Sequence, residues 1–465
     1  MNRSMVGFTA AEINTWQEKI KGQVILPGDA DYDRYRQAWN LIVDQHPAVI
    51  VVVENAADIQ HAVQFAGSHN LDIAVKSTGH GVARPADGSL LIITAHLQDI
   101  HIDPDAQTAW LGAGLKWGPV LAKTQEYGLA PLLGSSPDVG VIGYTLGGGL
   151  GWLARKYGLA TDSVMAFELV TADGQLKRAS ASENPDLFWG LRGGGGNFGV
   201  ITSMEIKLYP VTTVYGGNLF YPPTLAREVF RRYRDWVAQA PEELTSSIVL
   251  MNVPDIPDLP DFLRGKSFVI VRGCYIGPVE QGEALLQPWR EWQAPLMDDF
   301  KAMPFAQVAT ISNDPEGPLP GLSSGAWLHE LSDAAVEVLI QFGQPDMGSS
   351  PLTVTEIRHA GGAVKRGGET ASAYGNREAE HIMQLIGVTP TPEINQALRQ
   401  YVSKFLQELN PHLTGGVYLN FLEGAEVRER TRAGFSPQTF QRLQSLKRQV
   451  DPNNRFSHSF DIQPE

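Results

Sequence analysis

The apolar positions open with an unbroken run, Ala48 to Val53, followed by a segment from Ala56 to Ser68 whose Ile59, Ala62, Val63 and Ala66 recur at helical spacing. A second apolar run, Leu71 to Val75, completes a β-α-β unit, the first run being short and continuous enough for a buried strand. Strands are expected at 89–95, 99–103 and 108–113, and a helix from Trp117 to Tyr127. Ala166 to Ala179 alternates around Asp173-Gly174, a dipeptide suited to a tight hairpin. Asn184-Pro185 reads as an N-cap with proline in the first turn of a short helix through Leu191, ended by the glycines at 193–196. Val200 to Leu208 returns to a strand.

The pattern changes near Pro210. From there, proline-rich loops at 222–223, 254–260 and 315–320 separate strands from amphipathic helices. One strand, Leu352 to His359, alternates Thr353, Thr355, Ile357 and His359 with Val354, Glu356 and Arg358. Near the end, Ser436-Pro437 starts a helix through Gln449, and Asp451-Pro452 stops it. The expected division is therefore 1–210, 211–415 and a segment 416–465 that returns to the first domain.

Length and composition narrow the class. A chain of 465 residues holds two or three domains at roughly 100–200 residues each. Acidic residues outnumber basic ones by 51 to 37, a balance that repels a phosphate backbone, so nucleic acid is not an expected partner. No apolar run approaches the ~20 residues of a membrane helix, and Met1 to Lys21 lacks the apolar block of a secretory signal, so the expectation is a soluble cytoplasmic protein. The lone cysteine, Cys274, has no partner for an internal disulfide and is expected as a small buried apolar residue. No metal cluster is expected.

Glycine carries the chemistry. The 47 glycines crowd into 112–151 and 190–199, where the backbone must approach something closely. Gly194 to Gly199 has the G-x-G-x-x-G spacing of nicotinamide-dinucleotide sites, but a helix precedes it and a strand follows, the reverse of what that motif's mechanism needs. The 76–81 loop follows the carboxyl end of a strand, where open α/β sheets bind ligands, and 134–151 is a ribbon poor in side chains whose N–H groups can cradle an anion. Two such nests suit the two phosphates of a flavin dinucleotide. Tight packing loops are the competing reading.

These residues resemble the FAD-linked oxidases of the vanillyl-alcohol-oxidase type, in particular the berberine-bridge-enzyme-like branch. The likeness runs through Lys-Ser-Thr-Gly-His-Gly at 76–81, Gly-Ser-Ser-Pro-Asp-Val-Gly-Val-Ile-Gly at 134–143, and Leu-Gly-Gly-Gly-Leu-Gly-Trp at 146–152 with Arg-Lys-Tyr-Gly at 155–158. It continues through Asp186 to Val200 and ends with Asp-Pro-Asn-Asn-Arg-Phe at 451–456. The length and the C-terminal stretch look most like the 6-hydroxy-D-nicotine oxidase branch. The resemblance implies an α+β fold: a two-subdomain FAD-binding domain and a substrate domain whose antiparallel sheet roofs the flavin.

It also implies roles. His80 matches the histidine joined to the flavin 8α-methyl group, a bond that a neutral imidazole nitrogen can form. Lys76, Ser77, Thr78, Gly79 and Gly81 surround it as cofactor-binding positions. Ser136 stands where many relatives carry a second attachment cysteine; a hydroxyl is a far poorer nucleophile than a thiolate, so attachment through His80 alone is expected. Val139 matches a position that gates oxygen access. Ser135, Gly140, Gly143 and Tyr144, then Gly147, Gly148 and Gly149, and finally Gly199, Val200 and Asn420 complete the cofactor set. The family's Tyr-x-Asn-Tyr motif appears as Tyr418-Leu419-Asn420-Phe421, so the second tyrosine, a base in sugar-oxidising relatives, is absent.

Alternation places Tyr418 and Asn420 on one side of an expected strand. Tyr418, Glu356 and Gln384 are the catalytic candidates, with Trp152, Trp327 and His329 as candidate walls; Glu356 and Arg358 read otherwise as a solvated pair. The expected activity is oxidation of a small alcohol, sugar or amine by bound FAD, with oxygen reduced to hydrogen peroxide. The competing readings are a flavin-dependent dehydrogenase or oxidative cyclase, and a non-catalytic flavin-binding protein.

Overall fold

The computed structural model describes residues 8–257, 261, 263–344 and 350–465. The segment before Phe8 and positions 258–260 of the expected 254–260 loop therefore lie outside the described residues.

The first sheet is built on the run read as a buried strand. Val49–Val52 is buried at every position and pairs in parallel with Leu90–Ile93, which pairs in parallel with Ile73–Lys76; Gln23–Ile25 adds an antiparallel edge. The helix Ala56–Ser68 is N-capped by Asn55, whose side chain accepts from Asp58 N at 3.0 Å. The Asp58 carboxylate in turn accepts from the backbone of Lys21, Gly22 and Glu54, fixing the incoming chain to the helix start.

The second sheet is antiparallel and five-stranded, in the order Ile100–Asp103, Thr108–Gly112, Val200–Lys207, Val164–Val170, Leu176–Ser180. The Asp173-Gly174 hairpin forms as expected, with Gly174 at φ 75°. Asn184 departs from expectation. It sits in the left-handed region at φ 49° and makes no cap; its amide instead donates to Arg178 O at 2.6 Å, tying the helix Pro185–Leu191 to the hairpin.

The third sheet has eight antiparallel strands. Leu244–Asn252 and Val354–His359 lie at its centre, flanked by Ser267–Tyr275 and Thr213–Tyr221 on one side and His381–Val388 and Gly321–Leu328 on the other. One face is covered by Ala226–Val237, Asp333–Gly343 and Pro392–Leu409, which contribute Phe230, Tyr233, Leu339 and Phe405 to a shared core. Burying each such side chain stabilises the layer by about 1.5–3 kcal/mol. The opposite face meets the glycine-rich loops: Arg155 Nε donates to Leu244 O at 2.8 Å and Lys156 pairs with Glu243 at 2.7 Å.

The chain then returns to the first two sheets. Lys447, in the helix Pro437–Val450, is fully buried and donates to Asp451, to Asn197 O and to Phe456 O. Arg455 donates to Ala66 O and Gly67 O, backbone acceptors at the carboxyl end of helix Ala56–Ser68.

Candidate active site

Two loops meet over the first two sheets. Gly140 lies so close to the 76–81 loop that a Cβ there would touch Thr78 and Ser77 at 3.4–3.5 Å. Lys76 to Thr78, His80 and Ser135 to Val139 are half-buried, while Gly81 and Gly143 are exposed with nothing within 4 Å of an added Cβ. The result is a trough of backbone and small side chains. Polar atoms without partners lie along it: Ser77 Oγ, His80 Nε2 and Tyr144 OH are buried and make no hydrogen bond among the described residues. An extended, polar, partly planar ligand such as a flavin dinucleotide fits this surface.

His80 is clamped. Its ring stacks on Trp39 with centroids 4.1 Å apart, and its Nε2 is 3.5 Å from Asp138 Oδ2, beyond ordinary hydrogen-bond reach. Burial lowers the imidazole pKa, with Asp138 only partly opposing it, so the ring is neutral at pH 7. Asp138 is itself fixed by Trp39 Nε1 at 2.9 Å and by Lys116. Burial pushes the Asp138 carboxyl up, but its interactions with Lys116, Trp39 and His80 together outweigh it and the net shift is downward. Sequence reading did not single out Asp138 or Trp39. Asp138 lay inside the quoted 134–143 run, but nothing in the pattern says that it faces residue 80.

Lys76 sits differently from the rest of its loop. Its ammonium donates to Tyr35 O and Gln37 O, holding the segment that carries Trp39, and burial lowers its pKa to about 8. Gly79 is at φ 85°, and a Cβ there would come within 2.8 Å of Trp39 N.

The glycine ribbon divides in two. Val141–Leu146 is a short helix rather than free ribbon. Beyond it the glycines are packed against protein: added Cβ atoms would run into Asn420 Oδ1 from Gly147, Tyr374 from Gly148, Ala160 and Tyr144 from Gly149, and Leu133 O from Gly151. Gly199 likewise abuts Val170 O, and Val200 is buried in the first core. Tyr418 and Asn420 explain the ribbon's shape. Tyr418 immediately precedes, and Asn420 lies within, a single 3-10 turn, Leu419–Phe421, in place of the strand expected from alternation. Tyr418 OH nonetheless accepts from Gly149 N and Leu150 N at 3.0 Å and from Asn420 Nδ2 at 3.1 Å, while Asn420 Nδ2 also reaches Tyr144 O at 2.9 Å.

Between the ribbon and the third sheet lies a cleft lined by Ser135, Leu150, Trp152, Thr245, Ser246, Arg358 and His359. Glu356 and Arg358 are not solvated, as an exposed strand pair would be. Glu356 is 3% exposed; its carboxylate accepts from Ser247 Oγ at 2.6 Å and Arg358 Nε at 2.8 Å, with Arg272 at 3.8 Å. Burial alone would raise its pKa, but the two guanidiniums hold it below the ordinary value, which leaves a weak base. Gln384 accepts from Arg358 Nη2 at 3.1 Å and donates to Ser323 Oγ at 3.4 Å. Arg358 also lies 5.1 Å from the Phe421 ring centre. Trp152 lines the cleft, whereas Trp327 is core and His329 is exposed. Cys274 is buried, and its thiol pKa is raised by that burial.

Residues 47–180 match the family described as FAD binding domain. Over 97% of its length the chain is 27% identical to an FAD-linked oxidoreductase of Dictyostelium discoideum, covering 97% of that protein. It is 28% identical to (R)-6-hydroxynicotine oxidase of Paenarthrobacter nicotinovorans, over 96% of this chain and 97% of that one. The chain carries an FAD binding domain and is similar along nearly its whole length to FAD-linked oxidoreductases. Among solved structures, the wild-type berberine-bridge-enzyme-like 1 protein of Physcomitrella patens superposes with a TM-score of 0.85, at 21% identity, covering 97% of this chain and 99% of that one. Among the described residues no helix is long and apolar enough to cross a membrane.

Proposed function

We propose that this FAD-linked enzyme is an oxidase of a small alcohol, sugar or amine, carrying its flavin on His80 alone. In this reading residues 1–210 with 416–465 hold the cofactor, and 211–415 cover it and contact substrate. The observation that carries it is the state of His80: a desolvated, neutral imidazole, held between Trp39 and Asp138, with a buried nitrogen that finds no hydrogen-bond partner among the described residues. That is the form of histidine able to attack an electrophilic carbon. Ser136 offers no second nucleophile of comparable strength; its Oγ accepts from Asp138 N at 3.3 Å.

When bound, the flavin supplies a two-electron acceptor whose electrons pass to dioxygen. The chain's own groups position and enclose. Ser77, Thr78, Gly140, Gly143 and Tyr144 supply the cradle. Tyr418 and Asn420 set the ribbon's curvature; the Tyr418 oxygen, already accepting three hydrogen bonds, acts by positioning rather than by taking a substrate proton. Glu356 and Gln384 act through Arg358, which they hold at the cleft. The apolar wall of Leu150 and Trp152 keeps water from the reacting carbon.

The test is acid precipitation of the purified holoenzyme. Flavin colour stays in the wild-type pellet and moves to the supernatant in His80→Ala, with the fold retained by circular dichroism. Colour that persists in the His80→Ala pellet assigns the bond elsewhere, and a wild type that takes up no FAD overturns the functional reading.

A further inference from the structure

We infer that the substrate carries a carboxylate, bound by the guanidinium of Arg358. The inference rests on the oxidase reading and specifies the substrate class of the same site. Arg358 is the one charged side chain lining the cleft; the other lining residues are hydroxyls, apolar groups and His359, which burial holds neutral by driving its pKa to about 2. Behind Arg358 the charge does not balance. Arg272, which is buried, and Arg358, which is half-buried, share the single carboxylate of Glu356. Asp314 acts on Arg358 only through its charge, with no hydrogen bond and no ion pair within 4 Å.

A partly desolvated excess of positive charge of this kind favours an anion at its open side. The donors are arranged to receive one. Nε of Arg358 is spent on Glu356 and one arm on Gln384 Oε1, while Nη1 has no acceptor among the described residues. The Phe421 face and the Glu356 and Gln384 contacts fix the plane of the guanidinium, so its remaining N–H groups are presented in a preset fork, the geometry that matches a carboxylate. Ser246 and Ser135 line the same cleft and add hydroxyl partners for the anion's neighbouring groups.

Calorimetric titration of the FAD-loaded enzyme tests this with defined probes: benzoate against benzamide, and lactate against lactamide. Each acid is expected to bind at least about thirtyfold more tightly than its amide, since losing one partner of a desolvated charge pair has at least that effect. Arg358→Met is expected to erase the preference, and Arg358→Lys, which keeps the charge but not the fork, to retain a reduced one. Equal binding of acid and amide, no binding of either acid, or acid affinity unchanged in both variants overturns the assignment. Failure of the wild type to load FAD would instead overturn the oxidase reading beneath it.

Discussion

At the residue scale, the glycines separate positions that shape the protein from positions that face the cofactor. A Cβ at Gly151 would lie 1.8 Å from Leu133 O, a backbone atom that cannot step aside. Gly151→Ala is therefore expected to abolish soluble expression or lower the melting temperature sharply. Gly143 lies in the helix Val141–Leu146 and meets nothing within 4 Å. Gly143→Ala is expected to keep or raise the melting temperature, alanine being favoured by about 1 kcal/mol in a helix, while lowering the ratio of flavin to protein absorbance. Normal FAD loading in that variant would remove Gly143 from the cradle. Asp138→Asn belongs to the same scale. It keeps the shape but loses the charge that Lys116 and Trp39 hold beside His80, and slower covalent incorporation of added FAD into apoprotein is expected, followed by the acid-stable fraction over time.

At the element scale, the C-terminal turn holds the ribbon through one hydroxyl. Tyr418→Phe leaves Gly149 N and Leu150 N buried without an acceptor, and each such loss costs about 1–3 kcal/mol. Urea denaturation should show a destabilisation of about 2–4 kcal/mol with an unchanged slope; a change below about 0.5 kcal/mol would mean that the ribbon keeps its shape without this contact. The elements themselves were legible. The Val49–Val52 strand, the Ala56–Ser68 helix and the 173–174 hairpin announce themselves by periodicity and turn chemistry, because each depends on neighbours close in sequence. What alternation misread is Tyr418 and Asn420, whose conformation is dictated by partners near residue 149, some 270 positions away. The burial of Glu356 was hidden for the same reason: only the third sheet's strand order places Arg272 and Ser247 against it.

At the scale of the whole molecule, the seam between the third sheet and the glycine-rich loops makes stability depend on pH. Arg155 crosses it, donating to Leu244 O, Ala360 O and His359 Nε2, the last at 2.9 Å. His359 lies stacked on His381 with centroids 5.6 Å apart; His359 Nδ1 and both ring nitrogens of His381 are buried without hydrogen-bond partners among the described residues. Burial, with the Arg155 and Lys365 charges adding to it, lowers the pKa of His359 to about 2; burial, opposed by Glu380, lowers that of His381 to about 4. Both rings titrate near 6.5 in the unfolded chain, so between that value and the folded pKa the unfolded state binds more protons, and stability falls as pH falls. From pH 7.5 to 5 the two histidines together lower the unfolding free energy by at most about 4 kcal/mol. The decline should begin below pH 7, well above the range in which carboxylates titrate. His381→Gln, which has no charge to gain, is expected to flatten the pH 5–7 limb of a urea-midpoint profile by up to about half. A variant profile parallel to that of the wild type would show that acid enters the molecule elsewhere, leaving the seam closed while another part of the structure opens first.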